Sequence, residues 1–306
     1  MANNVKIFVI IVTYKGHRWY KRCFNSLRNS KCVVKTIVID NASNDGTIEF
    51  IREYYPEIHL IESKENLGFG QANNIGLRYA LDHGCDYVFL LNQDAWIEPN
   101  TLGELIRVHQ KYQDFGILSP LHLVKEKNAL EYSCMRYILN SENTDPQFIF
   151  DLIFGKLKDI YTTKYINAAG WLLPRNILET IGGFCPLIYH YGEDDDYLNR
   201  LRYHNIKIGI CPHSRMVHDT KKRLANSDIL FEKANNESID ILLDINRTLD
   251  LKALLNSYRR KMLMALVRFN IEKYMWNKHQ LRLLKTRYDD IMNCREQHKL
   301  KQANWL

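Results

Sequence analysis

The first 91 residues alternate between short apolar runs and helical segments, and this alternation restricts the fold more than any other feature of the chain. The run VKIFVIIV at 5–12 is rich in β-branched residues, which is typical of a strand buried on both faces of a parallel sheet. Similar runs return at 35–40, 58–62 and 87–91, with helical patterns between them. The alternation predicts an α/β fold with a mostly parallel sheet and right-handed crossovers.

In an open sheet of this type, ligands bind beyond the carboxyl ends of the strands. Asp40 and Asp94 each lie in a segment that directly follows a strand or ends it, so both are expected on one rim of the sheet. Neither GxGxxG nor GxxxxGK[ST] follows any of these strands. The sequence therefore argues against a dinucleotide-binding Rossmann domain and against a P-loop.

The chain after Asp94 is less regular. We expect a helix at about 100–110 and a strand near 116–119, but residues 121–164 show no clear pattern, and the tract SENTDPQ within them is typical of a mobile loop. A strand and a short helix end on Gly182-Gly183, a helix is expected from Leu198, and IKIGICPHSRMVHD predicts a closing strand.

The stretch HYGEDDDYLNR at 190–200 places four carboxylates side by side, from Glu193 to Asp196. Adjacent carboxylates repel one another and are costly to bury without partners. The run must therefore be solvated, matched by cations or used chemically. By itself it is compatible with a solvated turn, because acidic runs at turns are common.

Composition limits the compartment and the class of protein. The chain has 306 residues and is 46% hydrophobic, which is enough for one large core or for a core plus an appendage. Its seven cysteines show neither CxxC pairs nor metal-ligand spacing, which indicates reduced thiols in the cytosol. The N-terminus lacks the pattern of a signal peptide, and no apolar run approaches the roughly 20 residues of a membrane-spanning helix. We therefore expect a cytoplasmic protein, with peripheral contact at the inner face of the membrane as an option.

The C-terminal part of the chain is strongly basic. Residues 251–306 contain 13 Lys/Arg and 4 Asp/Glu, a net charge of +9, and since the whole chain carries +7, the first 250 residues carry −2. This asymmetry indicates two regions with different roles. The sequence contains no recognisable nucleic-acid-binding module, so we expect no nucleic-acid partner.

The segment LKALLNSYRRKMLMALVRFN at 251–270 predicts an amphipathic helix. The helix could pack on the rest of the protein with its basic side in water, or it could contact anionic lipid. The predicted apolar stripe contains Leu251, Leu254, Leu255, Tyr258, Met262, Leu266 and Phe269, and the basic arc contains Lys252, Arg259, Arg260, Lys261 and Arg268.

Seven segments, taken in order, resemble the inverting GT-A glycosyltransferases of family 2, and in particular their rhamnosyltransferase-like branch. A match of seven segments in order is far more specific than any one of them. The resemblance implies a GT-A nucleotide-diphospho-sugar transferase domain at 1–228, followed by a basic, mostly helical extension at 229–306. The segments are VTY at 12–14, VIDNASNDGT at 38–47, NLGFGQANNIG at 66–76, LLNQDA at 90–95, IGGF at 181–184, YGEDDDYLNR at 191–200 and CPHSRMVH at 211–218.

The activity implied by the resemblance is inverting transfer of a sugar from a nucleotide-sugar donor, either a dTDP-sugar or a UDP-sugar. Rhamnose is a candidate sugar, and the implied acceptor is a surface polysaccharide or a lipid-linked glycan. Asn73 stands where the family often has Arg, which leaves the choice between uridine and thymidine open. The implied donor-binding residues are Thr13, Tyr14, Asp40, Asn41, Asn66, Gly68, Asn73, Asn92 and Asp94.

The departing nucleoside diphosphate carries negative charge, and a divalent cation with hard oxygen ligands, Mn²⁺ or Mg²⁺, stabilises it. Asp94 matches the last position of the family's DxD-like motif, and the first position is Asn92 here. One carboxylate in place of two predicts weaker metal binding. His218 matches a position that supplies a metal ligand in the family, and His213 is a competing candidate.

Displacement at the anomeric carbon needs a base that removes the proton of the acceptor hydroxyl. The Asp of the family's ED motif, which is that base, corresponds to Asp194. The resemblance gives Glu193 and Asp196 orienting roles, places Asp196 and Trp171 on the acceptor side, and leaves Asp195 facing solvent.

Two other functions fit parts of the sequence. A nucleotide-sugar pyrophosphorylase would share the α/β layout, but it would need a glycine-rich basic loop after the first strand, and VTYKGHRWY is a poor candidate. A non-catalytic sugar-nucleotide or glycan-binding subunit would explain the incomplete DxD motif. The presence of both Asp94 and the ED pair argues against this second alternative.

Overall fold

The computed structural model describes residues 5–220, 239 and 241–306. The strands of this part are β1 (Ile7–Thr13), β2 (Val34–Asp40), β3 (His59–Glu62), β4 (Tyr87–Leu91), β5 (Ala95–Ile97), β6 (Phe115–Leu123), β7 (Tyr161–Thr163), β8 (Gly170–Pro174) and β9 (Lys207–His218). The helices are α1 (His17–Arg28), α2 (Thr47–Tyr54), α3 (Gly68–Asp82), α4 (Thr101–Lys111), α5 (Tyr132–Leu139), α6 (Gln147–Ile153), α7 (Arg175–Thr180), α8 (Glu193–Tyr203), α9 (Leu251–Val267), α10 (Ile271–Thr286) and α11 (Tyr288–His298).

The strands form one mixed sheet in the order β3-β2-β1-β4-β8-β6-β9-β5, and β7 also pairs with β9. The first four strands are parallel, which confirms the fold predicted from their alternation with helices. Strand β8 lies antiparallel between β4 and β6. Strand β9 runs parallel to β6 and antiparallel to β5 and β7, so the second half of the sheet is mixed.

Successive side chains of a strand point to opposite sides of the sheet, so a strand that is apolar throughout has two apolar faces. Helices cover both of these faces. In β1, Phe8 and Ile10 belong to one buried cluster, which includes residues of α3 and α8. Val9 and Ile11 belong to the other, which includes residues of α1 and α4. Continuous apolar strands are therefore required, as the sequence of β1 predicted.

Residues 121–164 form an ordered subregion of two helices and a strand, contrary to the mobile loop expected for the tract SENTDPQ. The ring of Phe148 stacks on that of Tyr161 with 4.6 Å between centroids. The hydroxyl of Tyr161 donates to Asp151 at 2.7 Å. Asn143, within the tract, donates hydrogen bonds to the carbonyls of Tyr137 and Tyr165. The contacts that order this subregion join residues from its different segments, so local sequence patterns did not predict them.

The C-terminal helices are present, as expected, and a third apolar cluster joins them to the part that carries the sheet, residues 5–220. Cys185 and Ile188 of residues 5–220 belong to this cluster, together with Leu284, Ile291 and Cys294 of the C-terminal helices. The expected boundary at residue 228 lies outside the described residues and stays a prediction.

The predicted apolar stripe of residues 251–270 is correct only for its first half. Leu254, Leu255 and Tyr258 pack against the third cluster, whereas Leu266 and Phe269 are exposed. Among the described residues, no helix combines the length and the apolar character needed to cross a membrane.

The end of the chain lies against the segment that precedes α8. The backbone N–H of Gly183 donates to the carbonyl of Asn304 at 2.8 Å. The guanidinium of Arg200 in α8 lies 5.1 Å from the ring centre of Trp305. The extension therefore contacts the helix that carries the acidic stretch.

Candidate active site

A cleft of about 570 Å³ opens at the carboxyl ends of β1, β2 and β4 and at the end of β9. This is the rim at which ligands bind in open α/β sheets. Many of the residues singled out from the sequence line it. They are Tyr14, Asn41, Asn66, Gly68, Asn92, Asp94 and His218.

Asp94 and His218 are neighbours in this cleft because β5 and β9 are paired. Ala95 lies opposite His218 in the ladder, and the N–H of Asp219 donates to the carbonyl of Asp94 at 2.9 Å. The distance from Asp94 Oδ1 to His218 Nε2 is 3.4 Å, and the side chains are only 13% and 7% exposed. The pairing therefore brings His218 next to Asp94, whereas His213 is exposed on the same strand.

The donor set at this point fits a divalent cation that is bound together with a nucleotide. A carboxylate oxygen and an imidazole nitrogen point toward each other, and the buried Nδ1 of His218 has no hydrogen-bond partner among the described residues. The ring of His122 lies edge-to-face with that of His218, 6.0 Å away. The described residues contain no group of three or more ligands that could hold a metal unaided. A cation here would take its other ligands from diphosphate oxygens and water.

The loops after β2 and β3 are fixed to each other beside the cleft. Asn41 donates from Nδ2 to the carbonyl of Gly68 at 2.9 Å and accepts from the N–H of Leu67 at 3.3 Å. Gly68 has a positive φ of 76°, and a Cβ there would overlap the carbonyl oxygen of Tyr189. The Tyr189 hydroxyl donates to the carbonyl of Asn66. Glycine is therefore required for this close approach.

Three residues expected to contact the donor are buried behind the cleft instead. The hydroxyl of Thr13 donates to Asp40 Oδ1 at 2.9 Å, and the N–H of Ser43 donates to Asp40 Oδ2 at 2.8 Å. Thr13 and Asp40 have no exposed surface. Asn73 is 1% exposed and donates to the carbonyl of Phe69 within α3. Their predicted direct contacts are corrected to supporting roles, because none presents surface to the cleft.

Gln93 has a role that the sequence analysis missed. Its Oε1 accepts from the N–H of Tyr14 at 2.9 Å, and its Nε2 donates to the carbonyl of Tyr14 at 3.1 Å. These two bonds join the loop after β1 to the loop after β4. The position of Gln93 between Asn92 and Asp94 could have predicted this role, since side chains at a strand end lie next to the neighbouring loops.

Arg18, Trp19 and Asp219 also line the cleft without having been predicted. The indole N–H of Trp19 donates to Asp219 Oδ2 at 3.3 Å. The guanidinium of Arg18 stacks 3.8 Å from the centre of the Trp19 ring, within cation–π range. Arg18 thus supplies positive charge to the lining of the cleft. Asn73, at the position where the family often has Arg, supplies none.

The acidic stretch forms the first turn of α8 rather than a solvated loop. Gly192 precedes the helix with φ 99°, and the helix begins at Glu193, five residues earlier than expected. The partial positive charge of a helix N-terminus favours carboxylates in its first turn. This position explains how the chain tolerates four adjacent acidic residues.

Asp194 joins the same rim through the backbone next to β8. Its Oδ2 accepts from the N–H of Ala168 at 3.2 Å. The adjacent residue, Ala169, accepts from the N–H of Asn92 at 3.1 Å. Asp194 is partly exposed, and the residues before its helix, His190 and Tyr191, line the cleft. The Asp194 carboxylate therefore lies at the rim, next to the segment that lines the cleft.

Glu193 lies in a different environment from Asp194. Burial first, and the negative charge of Asp194 second, raise the pKa of Glu193 well above that of an ordinary glutamate. Its Oε1 lies 3.7 Å from His190 Nδ1, and its Oε2 is buried without a hydrogen-bond partner among the described residues. Glu193 therefore holds a proton at pH values where an exposed carboxyl has lost it, which separates its role from that of a base.

Asp196 is buried inside the protein, which corrects its expected place on the acceptor side. It is 1% exposed, and its Oδ2 lies 3.1 Å from Arg200 Nε. Arg200 also donates to the carbonyls of Ile181 and Gly183. His298 Nδ1 lies 3.5 Å from the other oxygen, but burial lowers the pKa of His298 to about 4. The imidazole is thus neutral at neutral pH, and Arg200 is the counter-charge of Asp196.

Trp171 also departs from its expected place on the acceptor side. It has no exposed surface in β8, and its ring stacks with that of Phe184 at 6.3 Å between centroids. A side chain enclosed in this way forms part of the core and cannot contact an acceptor in this conformation. Asp195, expected to face solvent, is partly exposed.

The mixed sheet, the cleft at its rim and the carboxylates around it together define a protein of the GT-A class. The sequence profile of the family described as glycosyl transferase family 2 matches residues 8–182, more than half of the chain. The chain belongs to this family.

Several proteins of known function are similar to this chain. The low-salt glycan biosynthesis hexosyltransferase Agl10 of Haloferax volcanii is 26% identical over 218 residues, which cover 69% of this chain and 66% of the relative. The dTDP-rhamnosyl transferase RfbF of Shigella flexneri is 22% identical, with 70% and 69% covered. An N-acetylglucosaminyl-diphospho-decaprenol L-rhamnosyltransferase of Mycobacterium tuberculosis is 26% identical, with 63% and 69% covered. The chain thus spans about two thirds of the length of these relatives.

Solved structures with the same fold support the assignment to the GT-A class. Residues 1–349 of TarS from S. aureus, in complex with UDP-GlcNAc, give a TM-score of 0.55 at 15% identity, covering 91% of this chain and 92% of that one. GalNAc-T7 with UDP, GalNAc and Mn²⁺ gives a TM-score of 0.63 at 15% identity, covering 100% of this chain and 56% of that one. At this level of identity the likeness concerns the fold.

Proposed function

We propose that this protein transfers a sugar, with inversion at the anomeric carbon, from a nucleoside-diphosphate donor to a glycan acceptor. The proposal depends above all on one observation: the Asp94–His218 pair and the Asp194 carboxylate lie around the same rim of the sheet. A leaving-group site and a base must face the anomeric carbon together. In this proposal the segment between β4 and β5 and the end of β9 provide the first, and the first turn of α8 provides the second.

The donor would bind with its nucleotide along Tyr14, Asn41 and Asn66 and its diphosphate near Asn92 and Asp94. Asp94 and His218 would hold a divalent cation, Mn²⁺ or Mg²⁺, which when bound neutralises the charge that develops on the departing diphosphate. Arg18, stacked on Trp19, adds positive charge to the lining of the cleft. The bonds from Gln93 to Tyr14 keep the nucleotide loop in place before the donor arrives.

Asp194 would remove the proton of the acceptor hydroxyl while the new glycosidic bond forms. The hydrogen bond from the N–H of Ala168 orients its carboxylate. The neighbouring Glu193 is less suited to this role, because burial and the charge of Asp194 raise its pKa and so favour its protonated form. Two adjacent carboxyl groups with different environments are a common way to separate catalytic roles.

We infer a dTDP- or UDP-linked donor, with rhamnose as the first sugar to test. The inference is supported by two relatives whose names specify rhamnosyl transfer, one of them from dTDP-rhamnose. A UDP-sugar remains the alternative, because TarS was solved with UDP-GlcNAc. The acceptor we propose is a lipid-linked glycan or a surface polysaccharide, in line with the decaprenol-linked acceptor named for the mycobacterial relative.

Calorimetric titration of UDP and dTDP, each with and without Mn²⁺, tests the nucleotide site in the wild-type protein and in Asp94→Ala. We expect one nucleotide to bind more tightly with Mn²⁺ and the variant to lose this dependence. Asp82→Ala, an exposed aspartate at the end of α3, is the matched control. Release of nucleotide from the matching sugar donor then measures turnover. If neither nucleotide binds under any condition, transfer is excluded and a glycan-binding subunit is the remaining interpretation.

A further inference from the structure

The α9–α10 hairpin ends in an exposed apolar tip, which we define as residues 262–275. Ala265 is the buried apolar residue of this tip, and Phe269, in the turn, is 92% exposed. Such a cluster is unusual on a protein surface and generally marks a contact with a partner or a membrane. The exposed apolar side chains of the tip are Leu263, Met264, Leu266, Val267, Phe269, Ile271 and Met275.

The tip has a defined shape because its turn is hydrogen-bonded. The N–H of Phe269 donates to the carbonyl of Leu266 at 3.0 Å, and the N–H of Asn270 donates to that of Ala265 at 2.9 Å. Asn270 caps α10 by accepting from the N–H of Lys273. Phe269 adopts a positive φ of 51° in the turn. Because the turn is already ordered, binding of the tip requires little further loss of conformational entropy.

Positive charges surround the apolar tip. The hairpin, residues 251–286, contains nine Lys/Arg and a single acidic residue, Glu272. All the cations nearest the tip are exposed. They are Arg259, Arg260, Lys261, Arg268, Lys273 and Lys278.

We propose that this tip inserts into the interfacial region of an anionic phospholipid bilayer. An apolar tip within a basic collar matches a membrane surface, where acyl chains accept the apolar side chains and anionic headgroups lie next to the cations. A second copy of the chain fits less well, because like-charged collars would face each other at the interface.

The anchored half of the hairpin connects this surface to the active site. Leu254 and Leu255 pack on the same cluster as Ile188, and the Tyr189–Tyr191 segment that follows lines the cleft. Insertion would therefore hold the cleft at a fixed position relative to the bilayer. The idea that this position brings the cleft close to a lipid-linked acceptor rests on the proposed function. Insertion itself does not depend on that function.

Sedimentation of the full-length protein with vesicles tests the proposal. One set of vesicles contains phosphatidylglycerol and phosphatidylcholine in equal amounts, and the other contains phosphatidylcholine alone. The main variant is Val267→Ser/Phe269→Ser/Ile271→Ser, whose three positions are 72%, 92% and 74% exposed. The control is Val33→Ser, an equally exposed valine at 90% within residues 5–220. Because these side chains are exposed, all variants should fold, and circular dichroism verifies this.

We expect the wild type and Val33→Ser to bind the anionic vesicles at low salt, with weaker binding at high salt. The triple variant should lose roughly tenfold or more in affinity, since three apolar side chains no longer insert. No binding by the wild type, or equal binding by the triple variant, would overturn the proposal. So would a wild-type dimer that the triple variant dissociates, since the tip would then bind a second copy. Neither result depends on nucleotide binding, so failure here is distinguishable from failure of the proposed transfer reaction.

Discussion

Asp94 and His218 lie side by side, with 3.4 Å between Oδ1 and Nε2, because Ala95 of β5 pairs with His218 of β9. Strand β9 thus brings a side chain to the residues that follow the carboxyl end of β4. The ladder also fixes which histidine of β9 lies beside Asp94.

Replacement of His218 should weaken metal-dependent nucleotide binding. We expect His218→Ala to lose most of the Mn²⁺ enhancement, because a single protein ligand would remain at the rim. His213→Ala is the control on the same strand, where the side chain is exposed. Titration of the preferred nucleotide with and without Mn²⁺ measures the effect, and equal behaviour of both variants would remove His218 from the site.

Asp194→Asn should retain the donor and lose transfer. Removal of a general base typically costs about 10²–10⁴-fold in rate, while the amide keeps an acceptor for the N–H of Ala168. Asp195→Asn makes the same change of charge at the next residue and should retain most activity. Single-turnover transfer with saturating donor separates the two, and unchanged turnover in Asp194→Asn would contradict the assignment.

Glu193→Gln should make stability less dependent on pH. The pKa of Glu193 is raised in the folded protein, mainly by burial, so its contribution to stability is full below the pKa of an unfolded glutamate, about 4.3. That contribution is lost as the pH rises toward the folded pKa. The variant, which cannot ionise, should therefore unfold at the same or higher temperature than the wild type above neutral pH. Melting temperatures of the wild type and the variant are measured across the pH range. If Glu193 ionised in the folded protein as an ordinary glutamate does, the two proteins would show parallel curves, which would contradict the prediction.

Gly182→Ala should destabilise the protein more than Gly46→Ala does. Both glycines have a φ of 82°, so both substitutions introduce backbone strain. A Cβ at Gly182 would in addition overlap the backbone of Asn304, whereas nothing lies within 4 Å at Gly46. We expect a loss of more than about 1 kcal/mol for Gly182→Ala beyond the control. Denaturant unfolding of both variants measures the difference, and equal losses would mean that the C-terminal segment does not dock as described.

The sequence by itself determined the first half of the fold and much of the cleft. Strands buried on both faces must be apolar throughout, so β1, β2 and β4 were recognisable without tertiary information. Since ligands collect at strand ends, Asn92 and Asp94 could be placed in the cleft from their positions alone. The ordered set of motifs pointed to His218, which lines the cleft, and to Asp194, whose carboxylate lies at the same rim.

Tertiary structure decided which polar residues face the cleft and which support it. Thr13, Asp40 and Asn73 occupy strand-end or loop-helix positions like those of the lining residues, but their partners turn them inward. Asp196 is buried because Arg200 and the C-terminal segment enclose it, which no local pattern reveals. The apolar stripe of α9 likewise has one periodicity along its length, yet only its first half meets a partner surface. Burial depends on what lies opposite a side chain, and in this protein the opposite surface often comes from a distant part of the chain.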